Sequence, residues 1–207
     1  TNNNAERLRI KPNGNIIIGN GGTNFGDMQV QSFVAHGANA STSAFSAVDT
    51  TSVAEGVGGE IAFHGKYNTG AQDYAYYGHI KGIKENATAG NTACALTFYT
   101  RPNATAPTEK LRIDSGGRLL INKTTNRDKY FTGTYSGQLQ VESTNDSTRV
   151  TQFVQNSNNS SPHYLVIGKS RGTSVGSYSI VQNSDYLGTL SFQGADGDEM
   201  VDGARIE

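Results

Sequence analysis

One phrase occurs twice in this chain of 207 residues, and its repetition narrows the folds open to it. It reads Glu6-Arg7-Leu8-Arg9-Ile10-Lys11-Pro12-Asn13-Gly14-Asn15-Ile16-Ile17-Ile18 near the start. Later it reads Glu109-Lys110-Leu111-Arg112-Ile113-Asp114-Ser115-Gly116-Gly117-Arg118-Leu119-Leu120-Ile121. The offset holds without a gap, 109 − 6 = 103. Such self-similarity predicts modules strung in a line, an arrangement that spans distance or presents surface.

Each copy reads as a β-hairpin. Leu111 and Ile113 flank Arg112, and Leu119 and Ile121 flank Leu120, so one face of each arm is apolar. Asp114-Ser115-Gly116-Gly117 and Lys11-Pro12-Asn13-Gly14 supply turn chemistry between the arms. Gly14 and Gly117 align at the centre, where a positive φ is expected.

Weaker echoes extend the repeat. Met28-Gln29-Val30 is matched by Leu139-Gln140-Val141, and Gly59-Glu60-Ile61-Ala62-Phe63-His64-Gly65 by Gly188-Thr189-Leu190-Ser191-Phe192-Gln193-Gly194. Tyr77-Gly78-His79-Ile80 is matched by the Asp202-Gly203-Ala204-Arg205-Ile206 stretch. The interval between the first two echoes is 59 − 28 = 31 in one copy and 188 − 139 = 49 in the other. The extra residues fall within Asn156 to Asp185, as a surface loop or an added hairpin. The organisation expected is therefore residues 1–22 as the closing hairpin of a preceding repeat, 23–122 as one complete β repeat, and 123–207 as a second repeat short of its closing hairpin. On that layout the chain reads as a segment of something longer.

Composition agrees with an all-β array of short hairpins and small β modules. Short alternating runs are bounded by Gly, Asn and Ser, and no stretch shows helical period with caps. Ten Tyr and eight Phe, with only 17% charged residues, argue against disorder. Hydrophobic residues make up only 35%, too thin for hairpins that stand alone, which favours burial against other copies of the chain. Leu8, Ile10, Ile16 and Ile18, and equally Leu111, Ile113, Leu119 and Ile121, are expected to bury partly against symmetry mates. A formal charge of −1, with Lys and Arg scattered, gives nucleic acid no electrostatic footing. There is no run of 18 apolar residues for membrane insertion. Cys94, alone in a strand-like run, reads as a small buried hydrophobe.

Few residues carry chemistry. Gly172-Thr173-Ser174-Val175-Gly176 fits the G-x-S-x-G nucleophile pattern. That motif joins a strand to a helix, whereas Tyr178-Ser179-Ile180-Val181 alternates like a strand and no His follows. Ser174 is therefore read as part of a Gly/Ser turn. Asp196-Gly197-Asp198-Glu199 departs from calcium-loop spacing and reads as a solvated hairpin turn. His36, His64, His79 and His163 are dispersed, without metal-ligand spacing. No catalytic, metal or cofactor residue is assigned. Sugar contact has two candidate patches. Asp73, Tyr74, Tyr76 and Tyr77 combine flat rings with an acceptor, and Asn158, Asn159 and His163 sit in a polar loop. Ordinary strand packing, with Tyr74 and Tyr76 on one face and Tyr77 on the other, is the simpler reading of the first.

The phrase Glu109-Lys110-Leu111-Arg112-Ile113-Asp114-Ser115-Gly116-Gly117 resembles one found in tail fibres of tailed bacteriophages. Glu6-Arg7-Leu8-Arg9-Ile10 with Asn13-Gly14-Asn15-Ile16-Ile17-Ile18-Gly19 resembles it more closely. Leu187-Gly188-Thr189-Leu190-Ser191-Phe192-Gln193-Gly194-Ala195-Asp196-Gly197, followed by Gly203-Ala204-Arg205-Ile206-Glu207, is similar to another fibre segment. The resemblance implies an elongated homotrimeric virion component that serves host attachment. It would join other tail proteins, and a host surface glycan or protein would be its target. A glycan-binding adhesin module is the alternative, and a depolymerising tailspike segment a more distant one.

Overall fold

The computed structural model describes residues 8–10, 16–18, 47–70, 73–130, 133–144 and 151–207; for 8–10, 16–18, 130, 133 and 134 only the backbone is described. No helix occurs among them: the chain is all-β there. Two units are distinguished, residues 1–48 and 49–207. The first contributes one described hairpin, β1 (Leu8–Ile10) with β2 (Ile16–Ile18).

In the second unit, a six-stranded sheet runs in the order β10-β7-β6-β5-β4-β3. Its strands are β3 (Glu60–Lys66), β4 (Tyr74–Lys84), β5 (Cys94–Thr100), β6 (Thr108–Ile113), β7 (Leu119–Ile121) and β10 (Leu139–Val141). Neighbours are antiparallel except β10, which lies parallel to β7. The short β8 (Lys129–Tyr130) and β9 (Gly133–Thr134) join β11 (Leu190–Ala195) and β12 (Met200–Ile206) in a four-stranded sheet, ordered β11-β12-β8-β9.

The repeated phrase repeats its pairing. Leu8, Arg9 and Ile10 oppose Ile18, Ile17 and Ile16, and Leu111, Arg112 and Ile113 oppose Ile121, Leu120 and Leu119. The same offset of 103 that aligns the sequences therefore aligns the registers. The second echo goes further. In β3–β4 the ladder runs Ile61–Ile80 and Phe63–Gly78, then slips so that His64 meets Tyr76. In β11–β12 it runs Leu190–Ile206 and Phe192–Ala204, then slips so that Gln193 meets Asp202. The bulges fall at matching places, with Tyr77 and Gly203 as the extra residues.

The turn of the later hairpin follows from its residues. Gly117 has φ +74°. Its N–H donates to Asp114 C=O at 2.9 Å, and Asp114 N–H donates to Arg118 C=O at 3.1 Å. This is a three-residue loop whose last position is left-handed. Asp114 Oδ1 accepts from Gly116 N–H at 3.0 Å and Arg118 N–H at 2.9 Å, and Oδ2 from Arg118 Nε at 2.7 Å. Burial alone would push this carboxyl up; the backbone and guanidinium donors of Arg118 outweigh it and hold it below the usual range. Gly14 lies outside the described residues. A Cβ at Gly117 would meet nothing within 4 Å, so a substitution there costs backbone strain alone. Gly117→Val is expected to lower stability by about 1–2 kcal/mol, and Gly117→Asn by much less, in urea unfolding.

The two faces of the large sheet differ in kind. One row crosses all six strands as Ile61–Ile80–Phe98–Leu111–Ile121–Val141. The row behind it on the other face is Glu60–Lys81–Thr97–Arg112–Leu120–Gln140. Cross-strand neighbours share a face, so one face is apolar and the other mainly polar. The polar face is the better covered: Thr97 is fully buried, Leu120 1% exposed and Gln140 5%. The apolar face is open, with Ile61 46%, Ile113 42% and Val141 55% exposed. Among the described residues of 49–207, every strand contacts only its ladder neighbours, and none of these strands forms a second layer over either sheet.

Leu111, Leu119 and Ile121 are half-buried within one chain and Ile113 is exposed, which leaves their expected burial against symmetry mates untested, while Leu120, on the opposite face, is buried. Leu8, Ile10, Ile16 and Ile18 have no described side chains. Cys94 is exposed because it shares the open face with Leu96 and Phe98. Tyr178-Ser179-Ile180-Val181 forms no strand: Arg171 N–H donates to Ser179 C=O at 3.2 Å, and no ladder follows. Residues 156–185 instead form an irregular loop. Asp185 anchors it, accepting from Arg171 Nε at 2.6 Å, Arg171 Nη2 at 2.8 Å and Gln182 N–H at 2.9 Å.

Candidate functional site

The polar face is ordered by the two bulges next to β4 and β6. In an unbroken strand, residues three apart face opposite ways. The extra Tyr77 puts Tyr76 and His79 on one face, and the extra Lys110 does the same for Glu109 and Arg112. Four rings then stack across three strands: His64 on Tyr76 at 5.1 Å, Tyr76 on His79 at 5.3 Å, and His79 on Tyr99 at 4.0 Å. The Tyr76 hydroxyl is hydrogen-bonded to His79 Nδ1. Tyr99 O–H donates to Glu109 Oε2 at 3.2 Å, and Arg112 grips Glu109 through Nε at 2.5 Å and Nη2 at 2.8 Å. Burial pushes both phenols up, and the Glu109 bond pushes Arg112 up, so these groups keep their neutral-pH charge states. The rings are engaged with one another, which suits bracing better than binding.

A second device was invisible in sequence. Gln140, the centre of the Leu-Gln-Val echo, organises the chain after β7. Its Oε1 accepts from Lys123 Nζ at 2.8 Å and Arg127 N–H at 3.0 Å. Its Nε2 donates to Asn126 Oδ1 at 2.5 Å and Gly137 C=O at 2.9 Å. Beside it, Glu142 bonds Lys123 Nζ and takes Arg127 Nε and Nη2, both at 3.0 Å. Arg127 and then Lys123 lower the Glu142 carboxyl to about 2. The folded-state value lies below the unfolded one, so this stabilisation is complete above the ordinary carboxylate range and is lost as pH falls toward 2. Glu142→Gln is expected to be less stable than the parent at pH 7. The difference should close between about pH 4.5 and 2, as followed by thermal melts.

The first candidate sugar patch comes together only in part. Tyr74, Tyr76 and Tyr77 line a cleft of about 580 Å³ with Tyr67, Ala75, Arg101, Pro102, Asn103 and Ala104. It sits at the end of the large sheet, where Arg101 N–H donates to Tyr77 C=O at 2.9 Å. Tyr77, the bulged residue, lies against Gly65: a Cβ on Gly65 would come within 2.1 Å of Tyr77 Cε2. Its O–H donates to Lys66 C=O at 2.6 Å. Tyr77 thus points away from Tyr74 and Tyr76, as strand alternation implied. Asp73 is outside the cleft lining, with Oδ2 accepting from Gly70 N–H at 2.8 Å. Tyr67 and Arg101 were missed in sequence because only the pairing of β4 with both β3 and β5 brings them beside Tyr74.

The second patch does not join it. Asn158, Asn159 and His163 are exposed in the 156–185 loop, where Asn159 Oδ1 caps Ser161 N–H at 2.9 Å and His163 stacks on Phe153 at 5.9 Å. Ser174 is the first residue of a turn, its C=O accepting from Ser177 N–H at 3.2 Å. Asp196 Oδ1 accepts from the N–H groups of Asp198 and Glu199, both at 2.9 Å, closing the β11–β12 turn as expected. Among the described residues no group of three His, Cys, Asp or Glu side chains is placed to hold a metal, and no helix is long and apolar enough to cross a membrane. No protein-family model matches the chain, and a search of the curated proteins finds no match.

Proposed function

We propose that this chain is a structural segment of a phage tail fibre, assembled as a homotrimer and serving host attachment as a spacer or presenter of the receptor-binding end. The observation that carries this reading is the uncovered apolar face. A sheet hydrophobic on one face needs a second layer, and the row from Ile61 to Val141 has none among the described residues of 49–207. The β11–β12 hairpin leaves the matching residues Leu190, Phe192 and Ile206 open at 46%, 55% and 64%. Copies of the chain that meet along these faces would bury both modules by one symmetry operation, over an obligate-class area of roughly 2,000 Å² or more in total. β10 lies in the next repeat by sequence yet extends the sheet of the preceding one, a join suited to modules laid end to end. The fibre phrase and its repeated register favour a virion tail component over a secreted enzyme, and the reading gives no residue a catalytic role. Immunogold labelling of the virions of the phage that encodes the chain tests this. Gold on the tail fibres supports it, and gold on the head, or none, contradicts it.

A further inference from the structure

We infer that the cleft at the end of the large sheet binds a saccharide bearing a carboxylate. This deepens the host-attachment reading and rests on it for the source of the glycan. The lining includes two exposed phenol side chains, Tyr67 and Tyr74, at 63% and 42% exposure. Unlike the ring stack of the polar face, neither is stacked on another ring among the described residues. Exposed aromatic faces beside polar groups are what a sugar ring needs for apolar contact and orientation. Arg101 supplies the charge. Its Nη1 donates to Tyr76 C=O at 3.3 Å, and it forms no ion pair among the described residues. A guanidinium anchored at one nitrogen keeps further N–H donors in the planar fork that matches a carboxylate. The Asp73 carboxylate nearby is engaged on Gly70 N–H, not turned into the cleft. A second observation points the same way. Ala104, on the cleft lining, is held at φ +59° in the turn closed by Thr105 N–H on Pro102 C=O at 3.4 Å. Left-handed backbone without glycine is costly and gathers at ligand clamps.

The test is calorimetric titration of the whole chain with glucuronate-, galacturonate- and sialate-terminated oligosaccharides and with their carboxyl-reduced forms. At least one acidic probe should bind saturably, and its reduced form about tenfold more weakly or worse. Arg101→Gln should erase that preference, Arg101→Lys should keep part of it, and Tyr74→Ala should weaken both forms. Far-UV circular dichroism and light-scattering mass should match the parent for each variant. If no acidic probe binds, if reduced forms bind equally, or if Arg101→Gln keeps the preference, the inference is overturned. The homotrimer is judged separately, by mass.

Discussion

Phe98→Asp combined with Leu111→Asp will abolish assembly, leaving no species near three times 22.0 kDa. The two residues are cross-strand partners in the middle of the apolar row. In a homotrimer joined along that face, the pair of substitutions would place six carboxylates in an apolar interface. Burying an unpaired charge costs several kcal/mol even after relaxation, so the total is on the order of 10 kcal/mol or more per assembly. Each 1.4 kcal/mol is about tenfold in an equilibrium constant, so micromolar protein falls far below the dissociation midpoint. Val175→Asp is the matched control, since Val175 is fully exposed in the turn after Ser174. It should leave the mass unchanged. Light scattering of both variants checks the claim, and an intact trimer in the double variant counts against it.

Gly78→Ala will destabilise the large sheet by about 3 kcal/mol, the upper end for overpacking. Gly78 is buried in β4 between Phe63 on β3 and Thr100 on β5. A Cβ there would lie 2.3 Å from Tyr99 O and 3.3 Å from Tyr99 C. Those are backbone atoms of β5 and cannot rotate aside, so the strands must part. Gly82, four pairs along the same strand, offers the control, because a Cβ there meets nothing within 4 Å. Gly82→Ala should be neutral or slightly stabilising, by reducing the freedom of the unfolded chain. The matching hairpin explains why glycine is not needed everywhere: Ala204 occupies the place of Gly78. β12 meets β8 only at Met200, so no neighbouring strand crowds Ala204. Urea midpoints of the two variants decide the matter.

The hairpins were legible in sequence because alternation and turn residues are local. Leu-Arg-Ile, the turn and Leu-Leu-Ile fixed the β6–β7 register, and Gly117 announced its own φ. The bulges were not legible. Nothing in Glu109-Lys110-Leu111-Arg112 says that Lys110 is an extra residue, yet only that slip lets Glu109 and Arg112 pair. Alternation also tells which residues share a face without telling which face a single chain covers. Cys94 was therefore misplaced and the burial of Leu120 not foreseen: cover comes from Gln140, Arg112 and the ring stack, which meet only after six strands align. Tyr178-Ser179-Ile180-Val181 alternates like a strand, but a strand needs a ladder partner, and the Asp185 anchor holds this stretch in a loop. In the cleft, the Tyr cluster was visible in sequence, while Tyr67 arrives from the β3–β4 connection and Arg101 from the end of β5.

Sedimentation equilibrium of the unmodified chain at micromolar concentration tests the central claim most directly. A homotrimer closed over the row from Ile61 to Val141 predicts a mass of 3 × 22.0 kDa, about 66 kDa, that holds on tenfold dilution, as expected for an obligate interface. A folded, stable species of 22.0 kDa would contradict it, since the apolar face would then stand open in water without a partner.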